Sequence, residues 1–270
     1  MINEIRQINE SENRVFDFSG YDIFKKRGNR YEILPNKVYE IIKNRFKSQE
    51  IDNIVDLGSG ELTLIEKTLG FLDGKKNITC TSVDNCKDVH DRIKEKYRNK
   101  VDFVNFVFDD LMNFKEEIPK NSVDVILISH AIYHIDPKKW EELLLSLKSK
   151  LKENGIIILI SRSIMGEWWN VFKSIEPEIE FYKLKSHIFS ENVIEKLSKY
   201  NFTKDHITFS LHPKSLDELI KIFKFLYRIP ENYILNESLL RSKIKSLSEN
   251  HLYKDGYKIE LYDEILIFEK

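Results

Sequence analysis

The sequence predicts an α/β fold: a doubly wound, mostly parallel sheet whose last strand is antiparallel. Three observations predict it. From residue 51 to 161, short β-rich runs alternate with helical spacings. Two of those runs, Val123 to Ser129 and Ile156 to Ile160, are apolar nearly throughout, as strands covered on both faces are. Tyr257 to Phe268 alternates in character, as one final strand or a hairpin does, and no helix follows it, which points to antiparallel pairing.

The elements follow in order. Asn53 to Leu57 is a short apolar strand closed by Gly58-Ser59-Gly60, and Glu61 to Leu72 carries apolar residues at helical spacing. Ile78 to Val83 is a second strand ending at Asp84, and Lys87 to Tyr97 is a polar helix. Phe103 to Phe108 is a third strand, ending at Asp109-Asp110. After Val123 to Ser129, Asp136-Pro137 opens a helix that runs to Leu151 and stops at Gly155. Ile156 to Ile160 is the fifth strand. Trp168 to Ile175 begins a helix, Glu191 to Tyr200 is another, and Lys204 to Leu211 is a strand. Leu216 to Tyr227 and Glu237 to Asn250 are helices inserted before the last strand. We read residues 1–50 as an N-terminal helical lid over the acceptor. Residues 51–270 form the main domain, with the helical insertion at 212–255.

Composition narrows the function classes. Forty-three Lys and Arg stand against 44 Asp and Glu, so no basic excess is present to neutralise a run of phosphates. No apolar window is long enough to span a bilayer, and the first twelve residues are too polar for a secretory signal. Cys80 and Cys86 have neither zinc-ligand spacing nor partners for a disulfide framework. These features predict a cytoplasmic protein without a metal centre.

Parallel sheets of this kind hold ligands beyond the carboxyl ends of their strands. The polar residues there are Gly58 to Glu61, Asp84, Asp109-Asp110 and Ser129-His130. Gly58 and Gly60 let a backbone turn sharply and approach a ligand closely. Asp84, 24 residues beyond Gly60, is placed to accept both hydroxyl hydrogens of a ribose. Together they imply an adenosine-containing cofactor. Thr63 stands where a dinucleotide fingerprint has its third glycine, and Glu61 would repel a pyrophosphate at the helix start. Asp56, Glu61, Asp84, Asp109 and Asp110 instead suit the sulfonium and ammonium cations of S-adenosylmethionine.

These residues resemble the class I, S-adenosylmethionine-dependent methyltransferases, whose fold is Rossmann-like. The matching runs are VDLGSGE at 55–61, SVD at 82–84, FDD at 108–110, VDVILISHAIYHI at 123–135 and LKENGIIILI at 151–160. The resemblance implies that Gly58 and Gly60 flank the methionine part of the cofactor, Asp84 holds its ribose, and Asp109 or Asp110 lies near its adenine; Asp56, Ser59 and Glu61 are further candidate cofactor-binding residues. Ser129 and His130 would lie near the transferred methyl. A narrower likeness is to the histamine N-methyltransferase family. Gly58-Ser59-Gly60-Glu61 with Leu64, ISHAIYHI at 128–135, SRSIMGEWWNVFKSI at 161–175, the insertion and LYDEILIFE at 261–269 carry it. That family has an amide side chain where this chain has His130 and Asp263, so the likeness implies a related amine. Its capping helices map onto Tyr21, Phe24, Tyr31 and Glu32.

For the acceptor side, His130 is the candidate catalytic residue, orienting the acceptor or serving as base. Tyr133 and Trp168 are candidate pocket aromatics. Asp263 alternates with Leu261 and Ile265, so it faces inward and needs a partner, either a substrate cation or an arginine or lysine. The expected activity is methylation of an amine nitrogen on a small molecule. The alternatives are O-methylation with His130 as base, or a nucleic-acid or protein methyltransferase. The last is disfavoured because Ser129 to Tyr133 lacks the Asn/Asp-Pro-Pro-aromatic loop of base- and amide-nitrogen enzymes.

Overall fold

The computed structural model describes residues 18–47, 50–72, 78–97, 104–167, 169, 189–227, 238, 241–242, 244–245, 249 and 252–270. Trp168, most of the helix expected to begin there, and much of Glu237 to Asn250 lie outside the described residues. The chain divides into a larger unit (Arg30–Ile164, Phe189–Thr208, Tyr262–Lys270) and a smaller one (Met1–Asn29, Met165–Ile188, Phe209–Leu261).

The larger unit is built on the predicted sheet. Its first helix, α2 (Arg30–Phe46), follows α1 (Phe18–Arg27) of the smaller unit. Then come β1 (Asn53–Leu57), α3 (Thr63–Phe71), β2 (Thr79–Asp84), α4 (Lys87–Lys96), β3 (Val104–Phe108), α5 (Leu111–Glu117) and β4 (Val123–Ser129). They are followed by α6 (Trp140–Lys150), β5 (Leu151–Arg162), α7 (Ser190–Leu197) and β6 (Thr203–Leu211). After α8 (Leu216–Tyr227) and the short hairpin β7–β8 (Leu252–Tyr253, Gly256–Tyr257), β9 (Ile259–Glu269) ends the chain. The seven strands run in the order β3-β2-β1-β4-β5-β9-β6. Pairings from β3 across to β5 are parallel, and β9 joins β5 antiparallel, as the lack of a following helix predicted.

The core follows the apolar runs. Six of the seven residues of β4 are buried, and so is the stretch Ile156–Ile160 of β5. Trp140 opens α6 fully buried, its indole N–H donating to the Ile135 carbonyl at 3.2 Å. Two boundaries differ from expectation. The helix after Asp136-Pro137 begins as a 3-10 turn and ends at Lys150, and β5 starts at Leu151. Apolar Leu151 continues the helical spacing, but it pairs with Val123, and a register shift before Ile156 carries the intervening polar residues. α5 was not foreseen. Its signal is Asp110, whose carboxylate accepts the Met112 amide as an N-cap.

In the smaller unit α1 packs on α8 through aromatic rings, with Tyr21 and Phe24 centred 5.3 and 5.9 Å from Phe225. Arg27 grips Glu218 through two nitrogens at 2.7–3.2 Å. Of the helices described within residues 1–50, α1 falls in the smaller unit and α2 in the larger.

At the amino ends of the strands, Asp124 is buried and accepts from the Asp52 and Asn53 amides at 3.0 Å and from Lys152 at 2.9 Å. Asp124→Ala strands two backbone donors at the start of β1. It should lower unfolding free energy by about 2–4 kcal/mol in urea titrations.

Candidate active site

The loop from β1 to α3 makes the first half of the site. The Gly58 and Ser59 amides both donate to the Val83 carbonyl, at 2.8 and 3.1 Å, which folds the turn back onto β2. Gly58 has φ +74°, and a Cβ there would lie 2.3 Å from the Ala131 Cβ. Gly60 has φ +53° and nothing within 4 Å of where its Cβ would stand, so the turn opens onto free space there. Asp84 closes the arrangement. One carboxylate oxygen accepts the Gly60 amide and the other the Cys86 amide, each at 2.9 Å. Burial pushes Asp84 above the usual carboxylate range, and these two amides oppose that push. A carboxylate offers about four acceptor positions, so two amides leave it able to take ribose hydroxyls.

Two further acids sit beside the turn. Asp56 is 1% exposed, and its Oδ1 has no hydrogen-bond partner among the described residues. Ser59 Oγ is likewise buried without one. Glu61 is paired with Arg92 of α4 at 2.7 Å. Asp110 is exposed and accepts from Asn85 at 3.0 Å, while Asp109 accepts the Asp110 amide at 2.7 Å. An open glycine turn, a poised carboxylate and orphaned buried acceptors fit a ligand that brings hydroxyls and positive charge.

The second half lies at the ends of β4, β5 and β9. His130 has φ +55°, a strained conformation for a non-glycine residue, and its amide donates to the Ile160 carbonyl at 2.9 Å. Its Nε2 is 3.1 Å from Asp263 Oδ2, and its Nδ1 is 3.1 Å from the Tyr133 hydroxyl. An ionised carboxylate only accepts, so Nε2 carries the proton and Nδ1 receives the Tyr133 hydroxyl hydrogen. The Tyr133 oxygen in turn accepts the Arg162 amide at 2.6 Å. Both ring nitrogens of His130 are therefore engaged. Burial, then the Arg30 cation, holds its pKa down to about 4.

Asp263 faces inward as the alternation required, but its partner is Arg30. The Arg30 Nε donates to Asp263 Oδ2 at 2.8 Å, with both side chains buried. Of the two partners the alternation left open, a substrate cation or an arginine or lysine, the structure shows the arginine. The nearby His130 and the Arg30 guanidinium hold its carboxyl far below the usual range against the cost of burial. Arg30 Nη2 also reaches Ser129 Oγ at 3.5 Å, so Ser129, expected beside the cofactor, touches the Arg30–Asp263 network.

The remaining candidates divide between the units. The Tyr31 ring lies 5.3 Å from the Arg30 guanidinium carbon, and Glu32 is exposed on the first turn of α2. Tyr21 and Phe24 are in the aromatic packing of the smaller unit. Sequence reasoning missed Arg30 and Arg162. The inward Asp263 signalled that a cation was needed, but nothing in a linear spacing of 233 residues named which one.

Residues 54–155 match the family model described as a methyltransferase domain. The curated relative matched is the carboxy-S-adenosyl-L-methionine synthase of Nautilia profundicola, 29% identical over 134 residues, 48% of this chain and 51% of that protein. The chain thus spans about half the length of the curated relative it matches. Among solved structures, the YcgJ protein of Bacillus subtilis superposes with a TM-score of 0.53 at 15% identity, over 86% of this chain and 97% of that one. The plantazolicin methyltransferase BpumL in complex with SAH superposes with a TM-score of 0.51 at 16% identity over the whole of both chains. These likenesses show the fold.

Because folded His130 stays neutral to about pH 4 and an unfolded one protonates near 6.5, acidification favours the unfolded chain across that window. Stability from this group is complete above pH 6.5 and is lost as pH falls through the window. Urea midpoints measured from pH 7 to 4.5 should therefore fall less steeply in His130→Gln than in the parent. The stretch that resembles a methyltransferase domain is residues 54–155, within a longer chain.

Proposed function

We propose that this chain transfers a methyl group from S-adenosylmethionine to a nitrogen of a small-molecule amine in the cytoplasm. The observation that carries the donor half is the open turn at Gly60, held by Asp84 and flanked by the buried Asp56 carboxyl. When bound, the cofactor supplies an electrophilic methyl on a positive sulfur. The chain's part is to hold the donor, to align the acceptor and to keep water out. Orientation of this kind is worth roughly 7–11 kcal/mol of barrier.

The engaged state of His130 favours nitrogen over oxygen. A hydroxyl acceptor needs a base, and His130 has its Nδ1 lone pair committed to Tyr133 and a pKa near 4. A neutral amine brings its own lone pair. The Arg30–Asp263 pair fits the same reading, because a carboxylate that trapped the amine as an ammonium would remove the nucleophile. The likeness to the histamine N-methyltransferases supports an amine class, and the absence of an amide at residues 130 and 263 supports a different amine from histamine. Tyr31, Glu32 and Tyr133 are the proposed acceptor contacts in the larger unit.

A second reading rests on the curated relative. Its name describes a synthase of carboxy-S-adenosyl-L-methionine, so the cofactor itself would be the group modified. Product mass separates the two: methyl transfer leaves S-adenosylhomocysteine and a heavier acceptor, whereas carboxylation leaves a heavier cofactor.

Titration calorimetry with S-adenosylmethionine tests the donor half. Saturable 1:1 binding is expected, and Asp84→Ala should weaken it about tenfold or more, the scale of a lost charged hydrogen bond. No binding at millimolar cofactor would overturn the proposal. A transfer screen over amines, phenols and tRNA, with the methyl located by mass spectrometry, should find it on nitrogen of a small amine.

A further inference from the structure

Asp56 is a buried acid beside the glycine turn with one carboxyl oxygen lacking a hydrogen-bond partner among the described residues. It lies on β1, two residues before Gly58, and is 1% exposed. Leaving a polar atom buried without a partner costs free energy, and a buried isolated charge costs far more. Its Oδ1 has none among the described residues, and neither has the buried Ser59 Oγ at the turn.

The groups facing Asp56 make matters worse for its charge. On the β2 side these are Asp84 and the thiol of Cys80, which burial and the Asp56 charge push up to about 12. On the β4 side its register neighbour is the apolar Leu127. Among the described residues, no lysine, arginine or histidine acts on it. Asp84 has two backbone amides to stabilise its anion, so of the two acids it ionises first. Burial, and then Asp84, therefore lifts Asp56 to about 8.

We propose that Asp56 is the charge-selecting group of the donor site, a neutral acid in the free protein that ionises when a sulfonium- and ammonium-bearing ligand enters beside it. The O–H bond of the Asp56 carboxyl breaks, the electron pair stays on the carboxylate, and the proton passes to solvent. The ligand's positive charge replaces the proton as what neutralises the buried oxygen. Binding of the methyl donor is then coupled to proton release. This proposal rests on the donor reading given above.

Calorimetric titration of the whole chain with S-adenosylmethionine at pH 7, in two buffers of different ionisation enthalpy, counts the protons. About one proton released per cofactor is expected, with affinity rising about tenfold per pH unit between pH 6 and 7. Asp56→Asn should bind with no proton release and with a pH-independent affinity. Infrared difference spectra give a second readout on the unaltered chain. Adding cofactor should remove a protonated-carboxyl band at pH 6. Cofactor binding without proton release, or with that band unchanged, would overturn the proposal and leave the donor reading intact. No binding at all would overturn both.

Discussion

The site depends on one hydrogen-bonded carboxylate. Asp84, at the end of β2, accepts the Gly60 amide with one oxygen and the Cys86 amide with the other. That ties the β1–α3 turn to the start of α4. The two left-handed glycines make the turn possible, and the contact between Gly58 and Ala131 makes it tight. Because Gly60 faces open space while its amide is fixed, the loop is pre-shaped before any ligand arrives, which lowers the ordering cost of binding.

The cluster around Arg30 and Asp263 is organised by a different arrangement of charge. Arg30 and Asp263 are a buried ion pair, and such a pair is worth little net but is costly to break. Its consequence is orientation. Asp263 fixes the tautomer of His130, His130 takes the Tyr133 hydroxyl hydrogen, and Tyr133 receives the Arg162 amide. The chain of bonds spans the ends of β4, β5 and β9 and the start of α2. It leaves His130 suited to shaping a surface more than to removing a proton.

Much of this was legible in the sequence, for physical reasons. Strands buried on both faces must be apolar throughout, so β4 and the core of β5 were read nearly residue by residue. The glycine turn and Asp84 were legible because close backbone approach and ribose recognition restrict residue type at fixed spacing. β9 was legible as a strand from its alternation, and as antiparallel because no helix follows it. What was not legible were the partners. Arg30 lies 233 positions from Asp263, and an arginine in an aromatic-rich helix carries no mark of its mate. The end of α6 was misplaced because Leu151 satisfies both the helical spacing and the strand pairing with Val123. Glu61 was read as part of an open acidic edge, yet Arg92 on the next helix takes its charge.

The central claim is that the Gly60–Asp84 turn receives a cationic adenosine-bearing methyl donor. Backbone amide spectra of isotope-labelled protein, recorded during addition of S-adenosylmethionine and separately of NAD, test it most directly. The account predicts that the Gly60 and Cys86 amides, both bonded to Asp84, shift saturably with the methyl donor and stay in place with NAD. Unmoved amides with the donor, or equal shifts with the dinucleotide, would contradict it.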